Sequence, residues 1–223
     1  GTLSAFGLRA ALYPERDPVL YNIVSSHELE HERIAVLTDL LEEKLDVVIT
    51  TPSAALSFTI PEEILRGATK TLAVGDSIGM EALAAFLAES GYVRSELVDG
   101  KGQFSVRGGI IDIFPPHLGN PVRMELFGDE IDQIGYFDVM TQRKTENLSE
   151  VMITCAREIL ISEEKRKGLS EKIRSAAEKA SSPEIKTSLM HEYEALISGV
   201  EISFSDKYIS YICLLYTSPS PRD

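Results

Sequence analysis

His27-Glu28-Leu29-Glu30-His31 places two imidazoles one helical turn apart with a glutamate beside the first, the arrangement with which a zinc hydrolase holds its metal and activates water. These five residues open an expected helix beside Glu32, where acidic side chains complement the helix dipole and both rings face water. No downstream segment offers a clear third ligand, so an exposed, charged helix start is the simpler reading. Zinc hydrolysis through His27, Glu28 and His31 stands as the alternative. Gly128-Asp129-Glu130-Ile131-Asp132 contains the Asp-Glu pair that closes a magnesium-binding strand in nucleotide hydrolases. That role requires a Gly-x-x-x-x-Gly-Lys-Ser/Thr loop around the phosphates, and the sequence has none. Gly128-Asp129 reads instead as a β-hairpin turn. His117 and His191 have no Gly-x-Ser-x-Gly or cysteine in a matching setting, and His117, after Pro115-Pro116, reads as a loop histidine.

One face remains. Alternation that buries Val122, Met124 and Leu126 turns Arg123, Glu125 and Phe127 outward, and burying Phe104 and Val106 turns Ser105 and Arg107 the other way. An outward phenylalanine with arginines on neighbouring strands has the composition of a protein-binding hot spot. Periodicity leaves a second arrangement equally open, with Phe127 under a helix and the arginines paired to Glu125 and Asp129.

The elements that must position this face follow from the pattern. Ser25 and Glu28 form a capping box ahead of a helix over about 27–44, with Ile34, Leu37, Leu40 and Leu41 at helical spacing. The β-branched run Asp46 to Thr51 predicts a buried parallel strand, and Pro52 opens another helix. Thr71–Val74 predicts a strand. Asp76 or Ser77 is expected to cap a helix carrying Met80, Leu83, Ala84 and Leu87, closed by a left-handed Gly91. From there to about residue 140 the period is two, which predicts about four antiparallel strands with a helix across one face. Residues 151–161 predict a last strand, and 162–198 are charged and helical with a break near Ser181-Ser182-Pro183. Residues 213–223 end in a Ser/Pro run that resembles read-through of a sequencing adaptor, and they are set aside from the fold.

Composition narrows the classes. Across 223 residues, 22 Lys and Arg face 35 Asp and Glu for a net charge of −13, so the surface as a whole repels phosphate and is no broad nucleic-acid clamp. No run approaches the roughly 18 apolar residues of a membrane span, no signal peptide opens the chain, and the expected location is cytoplasmic. Cys155 and Cys213 have neither the number nor the spacing of a disulfide framework or zinc knuckle. The start at Gly1-Thr2-Leu3 without methionine suggests a piece of a longer protein.

Four ordered blocks over about fifty residues are far more specific than any short motif. They are Gly91-Tyr92-Val93-Arg94, Gly102 to Pro115, Pro121 to Asp132, and Phe137-Asp138 with Thr141-Gln142-Arg143. Together they resemble the N-terminal module of the bacterial transcription-repair coupling factors (Mfd), a module shared with the excision nuclease subunit UvrB. Only Tyr13, Tyr21 and a short acidic segment stand where UvrB carries a tyrosine-rich hairpin, so the resemblance favours Mfd over a UvrB fragment. It implies an α/β fold: a partial RecA-like subdomain over 1–69, lacking its first strand, interrupted by an inserted α+β domain with an antiparallel sheet, like UvrB domain 2, over 70–161. A helical return over 162–212 and a non-native tail over 213–223 complete it. The resemblance further implies that the module recruits UvrA to lesions where RNA polymerase has stalled, through Arg107, Arg123 and Phe127. The two guanidiniums would meet UvrA carboxylates and Phe127 would fill an apolar pocket, on a surface that the rest of the parent protein covers until polymerase is engaged. Contacts with RNA polymerase and double-stranded DNA, and the ATP and magnesium of DNA translocation, would belong to later domains, leaving this fragment without catalysis or cofactor and with no membrane partner. Gln133, Gly135 and Lys144 depart from the family pattern, where Ser, Arg and Ser are usual.

Overall fold

The β-branched run at 47–50 forms a parallel pair, β1 (Ala10–Tyr13) with β2 (Val47–Thr50), in the register Ala10 to Val47. In this computed structural model residues 7–16, 27–198 and 208 are described. The pairing is the expected one, but the burial is not: Leu12 is 72% and Ile49 44% exposed. A two-stranded sheet has one face against α1 (Glu28–Leu41), through Val36, Leu37 and Val48, and the described residues lay nothing over the other. His27 occupies the cap position of α1 without a side-chain cap bond, and Ser25 of the expected box lies outside the described residues. Ile34 is buried while Leu40 faces water, so the apolar stripe is narrower than the spacing predicts. Thr51 Oγ1 accepts from Ala54 N at 3.2 Å and caps α2 (Pro52–Leu56), which has proline in its first turn. A short α3 (Glu62–Gly67), not anticipated, follows Pro61.

Strand β3 (Lys70–Ala73) leads to α4 (Met80–Glu89), which ends as expected at Gly91 with φ 86°. The expected cap is not made. Asp76 Oδ2 instead accepts from Ala73 N at 2.8 Å, tightening the turn after β3, and Gly79 occupies the cap position. The period-two region forms β4 (Val93–Arg94), β5 (Gln103–Arg107), β6 (Ile110–Ile113), β7 (Val122–Phe127), β8 (Glu130–Phe137) and β9 (Lys144–Leu148), side by side in that order. Its four central strands are the predicted antiparallel ones. The sheet has six strands, however, and is mixed because β4 adds in parallel to β5, while β9 extends the other edge antiparallel to β8. One face carries the main core: Phe104, Ile111, Ile113, Val122, Met124, Ile131 and Ile134 pack against Leu83 and Leu87 of α4. Each side chain of this size contributes about 1.5–3 kcal/mol when fully removed from water.

β10 (Glu150–Ile153) returns antiparallel to β3. The strand expected to reach 161 stops at Ile153, since the chain leaves the ladder to bury Thr154, Cys155, Ala156 and Glu158 in other company. Burial pushes the Cys155 thiol up to about 12, so it is unreactive near neutral pH.

Residues from 161 onward belong to a second compact unit. Its helices α5 (Glu163–Lys179) and α6 (Pro183–Ile197) are capped by Ser162 and Ser182 and share the apolar seam Leu169, Ile173, Leu189, Tyr193 and Leu196. The break at Ser181-Ser182-Pro183 falls where the sequence places it. Cys213 and the tail 213–223 lie outside the described residues. No helix among the described residues is long and apolar enough to cross a membrane.

Candidate functional site

The sheet face away from α4 is built around one carboxylate. Register sets Ser105 of β5 opposite Asp112 of β6, Asp112 opposite Arg123 of β7, and Arg123 opposite Gly135 of β8. The Asp112 side chain is fully buried and sits between two guanidiniums. Arg123 donates from Nε at 2.7 Å and from Nη2 at 2.9 Å, and Arg107 donates from Nη2 at 2.5 Å. Arg123 is further fixed by a bond from Nη1 to the Gln142 carbonyl at 3.1 Å and by stacking over Phe137 at 4.7 Å. Gln142 presents that carbonyl from a left-handed backbone, φ 58°. Val98, Phe114, Phe137 and Val139 close this end of the face.

The other end is open. Phe127 is 86% exposed, two residues beyond Glu125 at the end of β7. Gly128, φ 63°, turns the hairpin into β8, and the loop before α4 pins its tip: Ile78 N donates to Asp129 O, Ile131 N to Asp76 O, and Gly75 N to Ile131 O. A large ring is thus held in water on a backbone with little freedom to withdraw it. The Arg107 side chain, 46% exposed, keeps donors available beyond its bond to Asp112.

The three residues singled out in the sequence therefore share one face, with unequal roles. Phe127 is not under a helix, and the arginines pair with Asp112 rather than with Glu125 or Asp129. Arg123 is mostly enclosed and braces the sheet, so it is less outward than alternation predicts. Asp112, Phe137 and Gln142 were missed; the signal for Asp112 was a lone charge inside the apolar run Ile110 to Ile113. Gln133, Gly135 and Lys144 meet here. Lys144 Nζ donates to Gln133 Oε1 at 2.8 Å, and a Cβ at Gly135 would lie 2.5 Å from the Glu146 carbonyl oxygen, so no side chain fits at 135 in this arrangement.

A second buried carboxylate serves packing. Glu158 accepts from Arg33 Nε at 3.0 Å on both oxygens and pairs with Arg16 at 3.3 Å. The wholly buried Arg33 also donates to the carbonyls of Pro14 and Phe58 and stacks over Tyr13 at 4.1 Å. Burial pushes the Glu158 carboxyl up to about 7 against the two guanidiniums, which favour its charged form.

The His-Glu-x-x-His segment belongs to this packing. His31 is buried, contrary to the expectation of two solvent-facing rings, because Gly102 closes over it; a Cβ at Gly102 would lie 2.9 Å from His31 Nε2. His27 Nδ1 is engaged by Glu30 at 3.2 Å and by the Arg157 guanidinium. Burial raises the Glu30 carboxyl, but His27, Arg157 and the Glu158 amide outweigh it and hold it at about 2. Among the described residues no group of three or more His, Cys, Asp or Glu is placed to hold a metal, and the zinc reading fails on this geometry.

The sheet is mixed, and the face away from α4 is organised around Asp112 with Phe127 exposed at its open end. Residues 71–159 match the UvrB interaction domain family, the span from β3 past β10 that carries this face. The chain aligns with transcription-repair-coupling factors: it is 34% identical over 215 residues to that of Staphylococcus aureus strain Mu50, covering 93% of this chain. It is 35% identical over 210 residues to that of Bacillus subtilis strain 168, covering 90%. In both cases the chain spans 18% of the relative's length.

Proposed function

We propose that the open end of the sheet recruits UvrA, with Phe127 as the apolar anchor, Arg107 as the carboxylate-binding fork and Arg123 as the brace that fixes Arg107 through Asp112. The observation that carries this reading is the exposed Phe127 ring on a pinned hairpin beside a half-free guanidinium. An exposed ring of this size forgoes about 1.5–3 kcal/mol of burial that a partner can supply. In this reading residues 70–161 are the inserted domain of a UvrB-like module, and 1–69 with 162–212 a partial RecA-like subdomain that it interrupts. The parent protein would act at stalled RNA polymerase in nucleotide excision repair, with ATP-driven movement on DNA in domains beyond this chain, and the face would be unmasked when polymerase is engaged. Similarity to the transcription-repair-coupling factors and the match to the UvrB interaction domain support it.

The test is calorimetric titration of the whole chain into UvrA beside the Phe127→Ala variant. Binding is expected, and the variant should lose on the order of 2 kcal/mol of affinity with its melting temperature unchanged. Equal affinity of the two proteins would remove this face from the interaction.

A further inference from the structure

The sheet edge beside this face is unfinished. Strand β4 pairs with β5 only at Val93 to Gln103 and Arg94 to Phe104, and one more bond follows, Ser95 N to Phe104 O at 2.8 Å. The chain then departs while β5 runs on to Arg107. In an antiparallel ladder alternate residues bond to one neighbour. Since Phe114 N, just past β6, donates to Gln103 O at 3.0 Å, Ser105 and Arg107 point their backbone groups to β6, and Val106 points its N–H and carbonyl to the β4 side. No bond from Ser95 or Leu97 completes that side at Val106.

The gap is a cleft of about 470 Å³ lined by Arg94, Ser95, Glu96, Val106 and Arg107. Arg94 is exposed and has no ion pair or hydrogen bond among the described residues, although Glu96 shares the cleft. Two guanidiniums with spare donors thus flank a β-strand edge that the described residues leave open, on a chain whose net charge is −13. Arg107 also borders the face that carries Phe127, so a partner seated there reaches the cleft without a break.

We propose that the cleft takes an extended acidic segment of the docked partner, added as a strand against Val106 with its carboxylates on Arg94 and Arg107. Backbone bonds would then supply affinity and the two forks the preference for acidic side chains. This rests on the docking reading above, and the experiment separates the two. Whole chain, Arg94→Ala and Phe127→Ala are each titrated into UvrA, and amide hydrogen exchange at Val106 is followed with and without UvrA. Arg94→Ala is expected to bind about tenfold more weakly with unchanged melting, as its side chain holds nothing in the fold. Val106 exchange is expected to slow at least about tenfold in the complex. If Phe127→Ala loses binding while Arg94→Ala binds like the parent, the cleft proposal falls and the docking face stands. Val106 exchange at the free rate in a saturated complex overturns strand addition whatever Arg94→Ala does. No binding by the unaltered chain overturns both.

Discussion

Two buried carboxylates in this molecule are each gripped by two guanidiniums, and they do different work. Glu158 lies between Arg33 and Arg16, and Arg33 spends its remaining donors on the carbonyls of Pro14 and Phe58. Asp112 lies between Arg123 and Arg107, and there only Arg123 is enclosed. The first centre is a closed tie joining the segment after β1, helix α1 and the chain after β10. The second is closed on one side and open on the other, so the energy that fixes Asp112 also fixes a guanidinium aimed at solvent. A buried pair broken on one side leaves an uncompensated charge, whereas an exposed pair adds little. Exposure of the second arginine therefore separates a closed structural tie from a pair that leaves donors facing solvent.

The largest effect should come from breaking the closed tie. Arg33→Met leaves Glu158 with Arg16 and the Tyr13 hydroxyl and takes the Arg33 donors from two carbonyls, and is expected to cost about 3–5 kcal/mol, read as a fall in the urea midpoint. Arg123→Ala should follow at about 3 kcal/mol, because Asp112 would keep only the bond from Arg107. Arg123→Ala is thus expected to lose fold and docking together, which makes it a poor reporter of the interface. A midpoint unchanged in Arg123→Ala would mean that Arg107 alone can hold Asp112, and the two centres would no longer differ in kind.

Much of this was legible before any coordinates. The alternation in Phe104 to Phe137 placed the four central strands and offered an outward Phe127 as one of two open arrangements, and Gly91 marked the end of α4. Beyond alternation the signals thin out. β4 is two residues long, and β9, Lys144-Thr145-Glu146-Asn147-Leu148, is too polar to show a period, so both edge strands were missed. The tie between Arg33 and Glu158 spans 125 positions; its local trace was Arg157-Glu158 inside the apolar run 151–161, which reads as a strand until a partner for the charges is found. His31 was misplaced because three acidic neighbours suggested a polar face. Only the return of the chain at Gly102 shows that the helix buries the ring.

That burial gives the next prediction. Burial pushes the His31 imidazole down to about 4, partly offset by Glu30. The unfolded chain takes up this proton near pH 6.5 and the folded chain near 4. His31 therefore favours the folded state fully above pH 6.5, and the contribution is lost as pH falls from 6.5 to 4, on the order of 2 kcal/mol by pH 5. His117, pushed by burial to about 4, acts in the same sense, while Glu158, pushed up to about 7, acts in the opposite one between 4.5 and 7. Comparing His31→Gln with the parent in urea at pH 7 and pH 5 isolates the histidine. The difference in stability between the two should shift by about 2 kcal/mol in favour of the variant at the lower pH. A constant difference would mean that the ring is protonated in place, with Glu30 compensating the charge.

The smallest loss of stability should come from Arg107→Ala. Asp112 keeps both bonds from Arg123, and the removed side chain was half in water, so the urea midpoint should move by less than about 1 kcal/mol. Affinity for UvrA should nevertheless fall about tenfold, and Arg107→Lys should restore only part of it, since an ammonium keeps the charge but not the planar fork. A destabilisation as large as that of Arg123→Ala would overturn the distinction. Asp112 would then be a closed tie like Glu158, Arg107 a structural brace rather than a handle, and the recruiting face would reduce to the ring of Phe127.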